Sequence, residues 1–162
     1  MLLYSNEEVK YEGCPGCAFA KHQFEIPCKM AYENDNFTLS QDWELPIPGF
    51  FVVSPKRHVE KLSELTDEER NEMFAIVNQT VSILREGNVC ENFEYVFEEK
   101  PHRHLHVWIM PRHKWMGKDI ITNIGTIFDY AKKEFRNEET YQLIDEISGY
   151  VRKKIKEKGK NK

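Results

Sequence analysis

Apolar residues recur along this chain with two different periods, and the order of those periods predicts its elements. Phe37 to Leu39 and Gly49-Phe-Phe-Val-Val-Ser54 are short β-prone runs separated by Pro46 and Pro48, which predicts two neighbouring strands joined by a stiff loop. Thr66-Asp-Glu-Glu69 has the spacing of a capping box, and behind it Met73, Val77, Val81 and Leu84 form a one-sided helical stripe that ends near Gly87. Phe93, Tyr95 and Phe97 alternate with Glu94, Val96 and Glu98, the period of a strand. After Lys100 and Pro101 a second alternation puts Leu105, Val107 and Ile109 on one face and His104, His106, Trp108 and Met110 on the other. The first face belongs to a core, and the second lines imidazoles along an opening.

From about Gly117 the helical period returns. Ile120, Ile124, Ile127, Phe128, Ala131 and Phe135 form one stripe, and after Asn137, a suitable N-cap, Ile144, Ile147, Val151 and Ile155 form another. The lysine-rich tail from Arg152 to Lys162 reads as a solvated helix end with cations near the negative end of its dipole. There is no internal repeat and no dividing linker. Strands followed by C-terminal helices predict an α+β domain on an antiparallel sheet, with a core over residues 1–116 and a helical extension of the same domain over 117–162.

Composition narrows the function. The 162 residues are 40% hydrophobic and 12% aromatic, enough for one buried core. With 23 basic and 27 acidic residues, net −4, no global field favours polymeric nucleic acid or an anionic membrane. No apolar run approaches a bilayer span, and Met1 to Lys10 lacks the pattern of a secretory leader, so the expected location is cytoplasmic. Four cysteines in a chain of this size do not suggest a disulfide framework, which leaves Cys14-Pro-Gly-Cys17 as metal ligands or a redox couple. A redox pair is expected to open a helix after a strand in a βαβ unit, a pattern missing here, and Cys28 and Cys90 read as small buried residues. Lys100 to Lys114 gathers Lys100, Arg103, Arg112, Lys114 and four of the six histidines with no acid among them, so any phosphate is handled locally.

Three histidines at alternate positions, His102, His104 and His106, are difficult to dismiss as structural, because burying several imidazoles without partners is costly. Together with Cys14-Pro-Gly-Cys17, Tyr32-Glu-Asn-Asp35 leading to Asp42, and Pro48-Gly-Phe-Phe-Val-Val-Ser-Pro-Lys-Arg-His-Val59, they resemble the histidine triad (HIT) superfamily from Cys14 to about Arg112. The Pro-His-x-His-x-x-x-Trp spacing also resembles the galactose-1-phosphate uridylyltransferase branch. The resemblance implies a HIT-like sheet with a packed helix and a homodimer. It implies a nucleotidyl hydrolase or transferase, similar to a diadenosine tetraphosphate hydrolase, acting on dinucleoside polyphosphates or nucleoside phosphoramidates. A neutral imidazole would attack the α-phosphate and form a nucleotidyl-histidine. The alternative is a HIT-fold nucleotide-binding or interaction protein with little or no turnover.

Two registers compete for the triad. In one, His102, His104 and His106 are its members and His104 attacks. In the other, His104 and His106 are the first two, Trp108 stands in the third place, and His106 attacks. The second preserves the short spacing to Pro111-Arg112 and keeps His102 near the hairpin end, so we favour it. Indole donates only, so Trp108 reads as a pocket wall, and a proton for the leaving group would come from another acid such as His113 or from the substrate. The loop Glu98-Glu-Lys-Pro101 is short for the family and lacks its glycines, which leaves Lys100 and Arg103 to contact phosphate.

The zinc-bearing members imply a further set. Cys14, Cys17, His58 and His104 would hold a structural zinc in a closed tetrahedral site. Asp42 would accept hydrogen bonds from the ribose hydroxyls, and Phe37, Leu39 and Phe51 could line a base pocket or belong to the core.

Overall fold

A computed structural model describes residues 1–99 and 102–160. The chain builds α1 (Pro15–Ala20), β1 (Tyr32–Glu33), β2 (Phe37–Gln41), β3 (Phe51–Pro55), α2 (Asp67–Glu86), β4 (Phe93–Phe97), β5 (Val107–Pro111), α3 (Ile124–Glu134) and α4 (Glu138–Lys160). The five strands form one antiparallel sheet in the order β1-β2-β3-β5-β4. This is the α+β architecture that the alternation of periods predicts.

The parity of β2 and β5 divides the sheet into two faces. Phe37 and Leu39, with Phe51 and Val53 of β3 and Leu105, Val107 and Ile109, are fully buried in a central core closed by Met73, Ile76, Val77, Val81 and Leu84 of α2. Helix α2 starts where its capping box says it should: the Thr66 hydroxyl accepts from Glu69 N–H at 3.2 Å, and the Glu69 carboxylate accepts from Thr66 N–H at 2.8 Å. Ile147, Val151 and Ile155 of α4 enter the same core. Asn137 caps that helix, its side-chain oxygen accepting from Thr140 N–H at 2.9 Å.

Two smaller apolar clusters complete the molecule. One joins Leu3, Tyr4, Ala18, Phe19, Phe24, Ile26 and Cys28 of the N-terminal segment to Ile144 of α4. The other joins Phe50 and Met110, on the sheet face opposite α2, to Leu45, Ile47, Met116, Ile120, Ile127 and Ala131. Helix α3 is thereby fixed on the face that carries Thr38, Ser40 and Trp108. Among the described residues, no helix is long and apolar enough to cross a membrane.

Candidate active site and metal centre

The segment His104 to His106 is extended but precedes the β5 ladder, which begins at Val107. It is tied down on both sides: Leu105 N–H donates to Val59 carbonyl at 2.8 Å, and the Ser54 hydroxyl donates to Leu105 carbonyl at 3.2 Å. Leu105 is wholly buried, so its side chain turns toward α2 and the flanking imidazoles turn the other way.

His104 has both ring nitrogens engaged. Nε2 lies 2.7 Å from the Pro55 carbonyl and donates to it, which leaves Nδ1 as the lone-pair nitrogen, 3.4 Å from Cys14 Sγ and 3.5 Å from Cys17 Sγ. His58 Nδ1 lies 3.4 Å from Cys17 Sγ, and the four donor atoms of Cys14, Cys17, His58 and His104 fall within 4.8 Å of one another. Metal bonds of about 2.3 Å to sulfur and 2.1 Å to nitrogen give a tetrahedral S···N edge of roughly 3.6 Å, so these separations fit a cation of that kind. Burial and the neighbouring Cys14 push the Cys17 thiol up, the reverse of what a bound cation imposes on a ligating thiol. Burial likewise holds His104 below the usual imidazole range, in the neutral form a ligand needs.

Gly16 explains how the cysteines reach this histidine. A Cβ built on Gly16 would stand 2.6 Å from His104 Cγ and 2.8 Å from its Nδ1, so the α1 backbone lies directly on the ring. Cys14 occupies the N-cap position of α1, whose first turn is set by Pro15. The Cys-x-x-Cys pair does open a helix, one of only six residues with no βαβ unit around it.

His106 differs from His104. Its Nδ1 lies 3.0 Å from the His104 carbonyl and donates to it, which fixes the tautomer and leaves Nε2 as a lone-pair nitrogen. The ring is half-buried, 5.5 Å from the Trp108 ring, and it lines a cavity of about 580 Å³ together with Thr38, Ser40, Asp42, Ser54 and Trp108. Trp108 is wedged edge-on against Phe50 and Phe128, with ring centroids at 5.8 and 5.5 Å. Arg103 is exposed at the same cavity.

Asp42 follows β2 at the far end of the cavity and is 9% exposed. One carboxylate oxygen accepts from Glu44 N–H and Leu45 N–H, both at 2.9 Å, an Asx turn that shapes the loop before Pro46. Burial outweighs those two bonds and pushes the carboxyl up to about 6.

His102 borders the same cavity, but at φ +61° its side chain is 94% exposed and 3.7 Å from Glu60. Lys100 lies outside the described residues. His113 lines a different cavity, where its Nε2 donates to the Pro48 carbonyl at 2.9 Å, and it does not supply an acid to the His106 pocket. Phe37, Leu39 and Phe51 are core residues on the α2 face and line no part of the pocket. The polar alternation Thr38, Ser40, Asp42 was the signal that separates them. Ser54, Gly16, Phe128 and Lys132 are site residues that the sequence did not nominate.

Residues 23–115 match the family model of the HIT domain, and the chain belongs to that family. It is 27% identical over 139 residues to an uncharacterized HIT-like protein of Methanocaldococcus jannaschii, covering 82% of this chain and 99% of that protein. It is 26% identical over 121 residues to a bis(5'-adenosyl)-triphosphatase of Dictyostelium discoideum, covering 72% of this chain and 77% of the relative. The solved structure of a zinc-bound histidine triad family protein from Mycobacterium smegmatis superposes with a TM-score of 0.59 at 20% identity, over 85% of this chain and 94% of the other. The fold is therefore that of HIT proteins, and its sheet carries a pocket on the histidine side.

Proposed function

We propose that this chain is a nucleotidyl hydrolase or transferase that works at the α-phosphate of a dinucleoside polyphosphate or nucleoside phosphoramidate. The observation that carries the reading is the state of His106: its Nδ1–H is held by the His104 carbonyl, so Nε2 meets the pocket as a fixed nucleophile. Attack forms an N–P bond at Nε2 as the bond from phosphorus to the leaving group breaks, and the leaving group departs with the electron pair. Water or a second hydroxyl acceptor then attacks phosphorus and gives up its proton to solvent, the P–N bond breaks, and the imidazole returns to its neutral state. Arg103 lies at the same cavity and is suited to hold phosphate oxygens, a role that Lys100 shares in this reading. Asp42 keeps one carboxylate oxygen for the ribose hydroxyls. The second register is the one supported, since both nitrogens of His104 are committed elsewhere and the His102 side chain is exposed to solvent.

The same reading assigns a structural zinc to Cys14, Cys17, His58 and His104. When bound, it ties the N-terminal segment to the histidine chain and supplies no catalytic step. Residues 1–116 form the nucleotide-binding core, and 117–162 extend the same domain, since α3 and α4 share its apolar clusters. Strand β4 lies at the sheet edge with Tyr95 and Phe97 exposed beside Phe74 of α2, a surface suited to a second copy of the chain. Phe97→Lys should convert such a homodimer to monomer in sedimentation. With Cys14 and Cys17 assigned to zinc, Cys28 and Cys90 remain as unpaired thiols, which suits a reducing compartment and supports a cytoplasmic location.

The test is mass spectrometry of protein quenched during turnover. A nucleotidyl adduct should appear, survive in His102→Ala and vanish in His106→Ala. An adduct retained in His106→Ala overturns the assignment. Trp108 favours a second reading, a nucleotide-binding protein with little turnover, because an indole sealed against Phe50 and Phe128 returns no proton to a leaving group. That reading predicts nucleotide affinity without release of mononucleotide.

A further inference from the structure

Helix α3 lies beyond the residues matched by the family model, yet it walls one end of the pocket. Its rotation is fixed by the buried pair Ile127 and Ala131, one turn apart in the cluster around Phe50 and Met110. The adjoining pair, Phe128 and Lys132, is set by the same spacing toward the cavity. Phe128 packs against Trp108 and Phe50, and Lys132 continues one turn further to the end occupied by Asp42. Among the described residues, Lys132 makes no hydrogen bond or ion pair, and Arg103 is the other permanent cation of this cavity, at its histidine end.

Asp42 has one carboxylate oxygen consumed by Glu44 and Leu45 N–H, and the other can only accept. A ribose hydroxyl is both a donor and an acceptor, and Asp42 satisfies only the donor. An ammonium satisfies only the acceptor. Resting on the ribose assignment above, we propose that Lys132 is a substrate-binding residue that, with Asp42, reads a ribose hydroxyl in both directions and so selects ribonucleotides over deoxyribonucleotides. Lys132 and Asp42 line the same cavity, and the ammonium acts to lower the Asp42 carboxyl, the smallest of the influences on it. Losing one hydroxyl from the ligand then strands two charged partners.

The test is the affinity of the whole chain for AMP and 2'-deoxy- and 3'-deoxy-AMP, read by calorimetry, for the parent protein, Lys132→Met and Lys132→Arg. A charge-assisted hydrogen bond is worth roughly ten- to hundredfold in affinity. Lys132→Met should lose about that factor for AMP, lose far less for one of the deoxynucleotides, and keep the parent melting temperature. Lys132→Arg should recover part of the loss. Equal losses for all three nucleotides would mean general attraction of phosphate and overturn the proposal, as would unchanged affinity for AMP. Failure of the parent to bind AMP while a trapped adduct forms from another substrate overturns the ribose pairing with this nucleotide. Failure of both overturns the nucleotide reading itself.

Discussion

Gly16→Ala tests the metal centre through a single methyl group. The added carbon would stand 2.6 Å from His104 Cγ, where ordinary contact begins near 3.4 Å, so ring and helix must separate by about 0.8 Å. Metal–ligand distances tolerate only about 0.2 Å. The Nδ1 of His104 has little freedom to follow, because Nε2 is anchored 2.7 Å from the Pro55 carbonyl. Zinc affinity should therefore fall by at least the roughly 10- to 100-fold seen when support of a ligand is lost, and overpacking should cost about 1 to 3 kcal/mol. The assay is zinc competition against a chromophoric chelator, with melts of the metal-free and zinc-loaded forms. Gly125→Ala is the control, since a Cβ there meets nothing within 4 Å. It should leave zinc affinity untouched and gain about 0.5 to 1 kcal/mol of helix propensity. Parent-like zinc affinity and a gain in stability for Gly16→Ala would refute the close approach.

Three further outcomes are expected. Asp42 binds its proton more tightly folded, about 6, than at its ordinary 3.8, so its contribution favours folding below pH 4 and is lost as pH rises through 6, a cost on the order of 3 kcal/mol. Asp42→Asn retains the oxygen that accepts from Glu44 and Leu45 N–H, so it should melt higher than the parent at pH 8 and not at pH 4, while its ribonucleotide affinity drops; an equal margin at both pH values would exclude the carboxylate as its source. Stripping zinc with excess chelator should lower the melting temperature by about 8 to 16 °C if the site is filled at a thousand times its Kd, and Cys17→Ser should show the lower value with or without chelator. Thr66→Ala removes one half of the α2 capping box and should cost about 1 kcal/mol, or roughly 2 to 4 °C, with no change in zinc affinity.

The parts of the fold legible in the sequence are those with sustained periods or local chemistry. Strand β4 spans the same residues as its alternation, the Thr66 box starts α2, and Leu105, Val107 and Ile109 face the core as their parity requires. The N-terminal lobe was not legible, because a six-residue helix and a two-residue strand are too short to show a period. The cluster of Cys14, Cys17, His58 and His104 followed from family resemblance, whereas Gly16 could not, since close approach is a property of two distant segments. Helical spacing identified the buried stripe of α3 but not what the adjoining stripe meets. Asp42 shows another limit: its candidate role followed from the resemblance, but the turn that encloses its carboxylate is a backbone geometry that no residue pattern announces.

Helix α4 has a consequence for how the chain is made. It adds Ile144 to the N-terminal cluster, Tyr141 receives a bond from Asn6 at 3.3 Å, and Arg152 donates to the Met30 carbonyl at 3.1 Å. The first thirty residues are thus completed by some of the last thirty. Synthesis runs from the N-terminus, so Cys14 and Cys17 emerge before His58 and His104, and the N-terminal cluster lacks Ile144 until α4 is released. A chain that stopped before α4 would leave the segment carrying Cys14 and Cys17 without its Ile144 and Arg152 contacts, so the two ends of the chain are completed together.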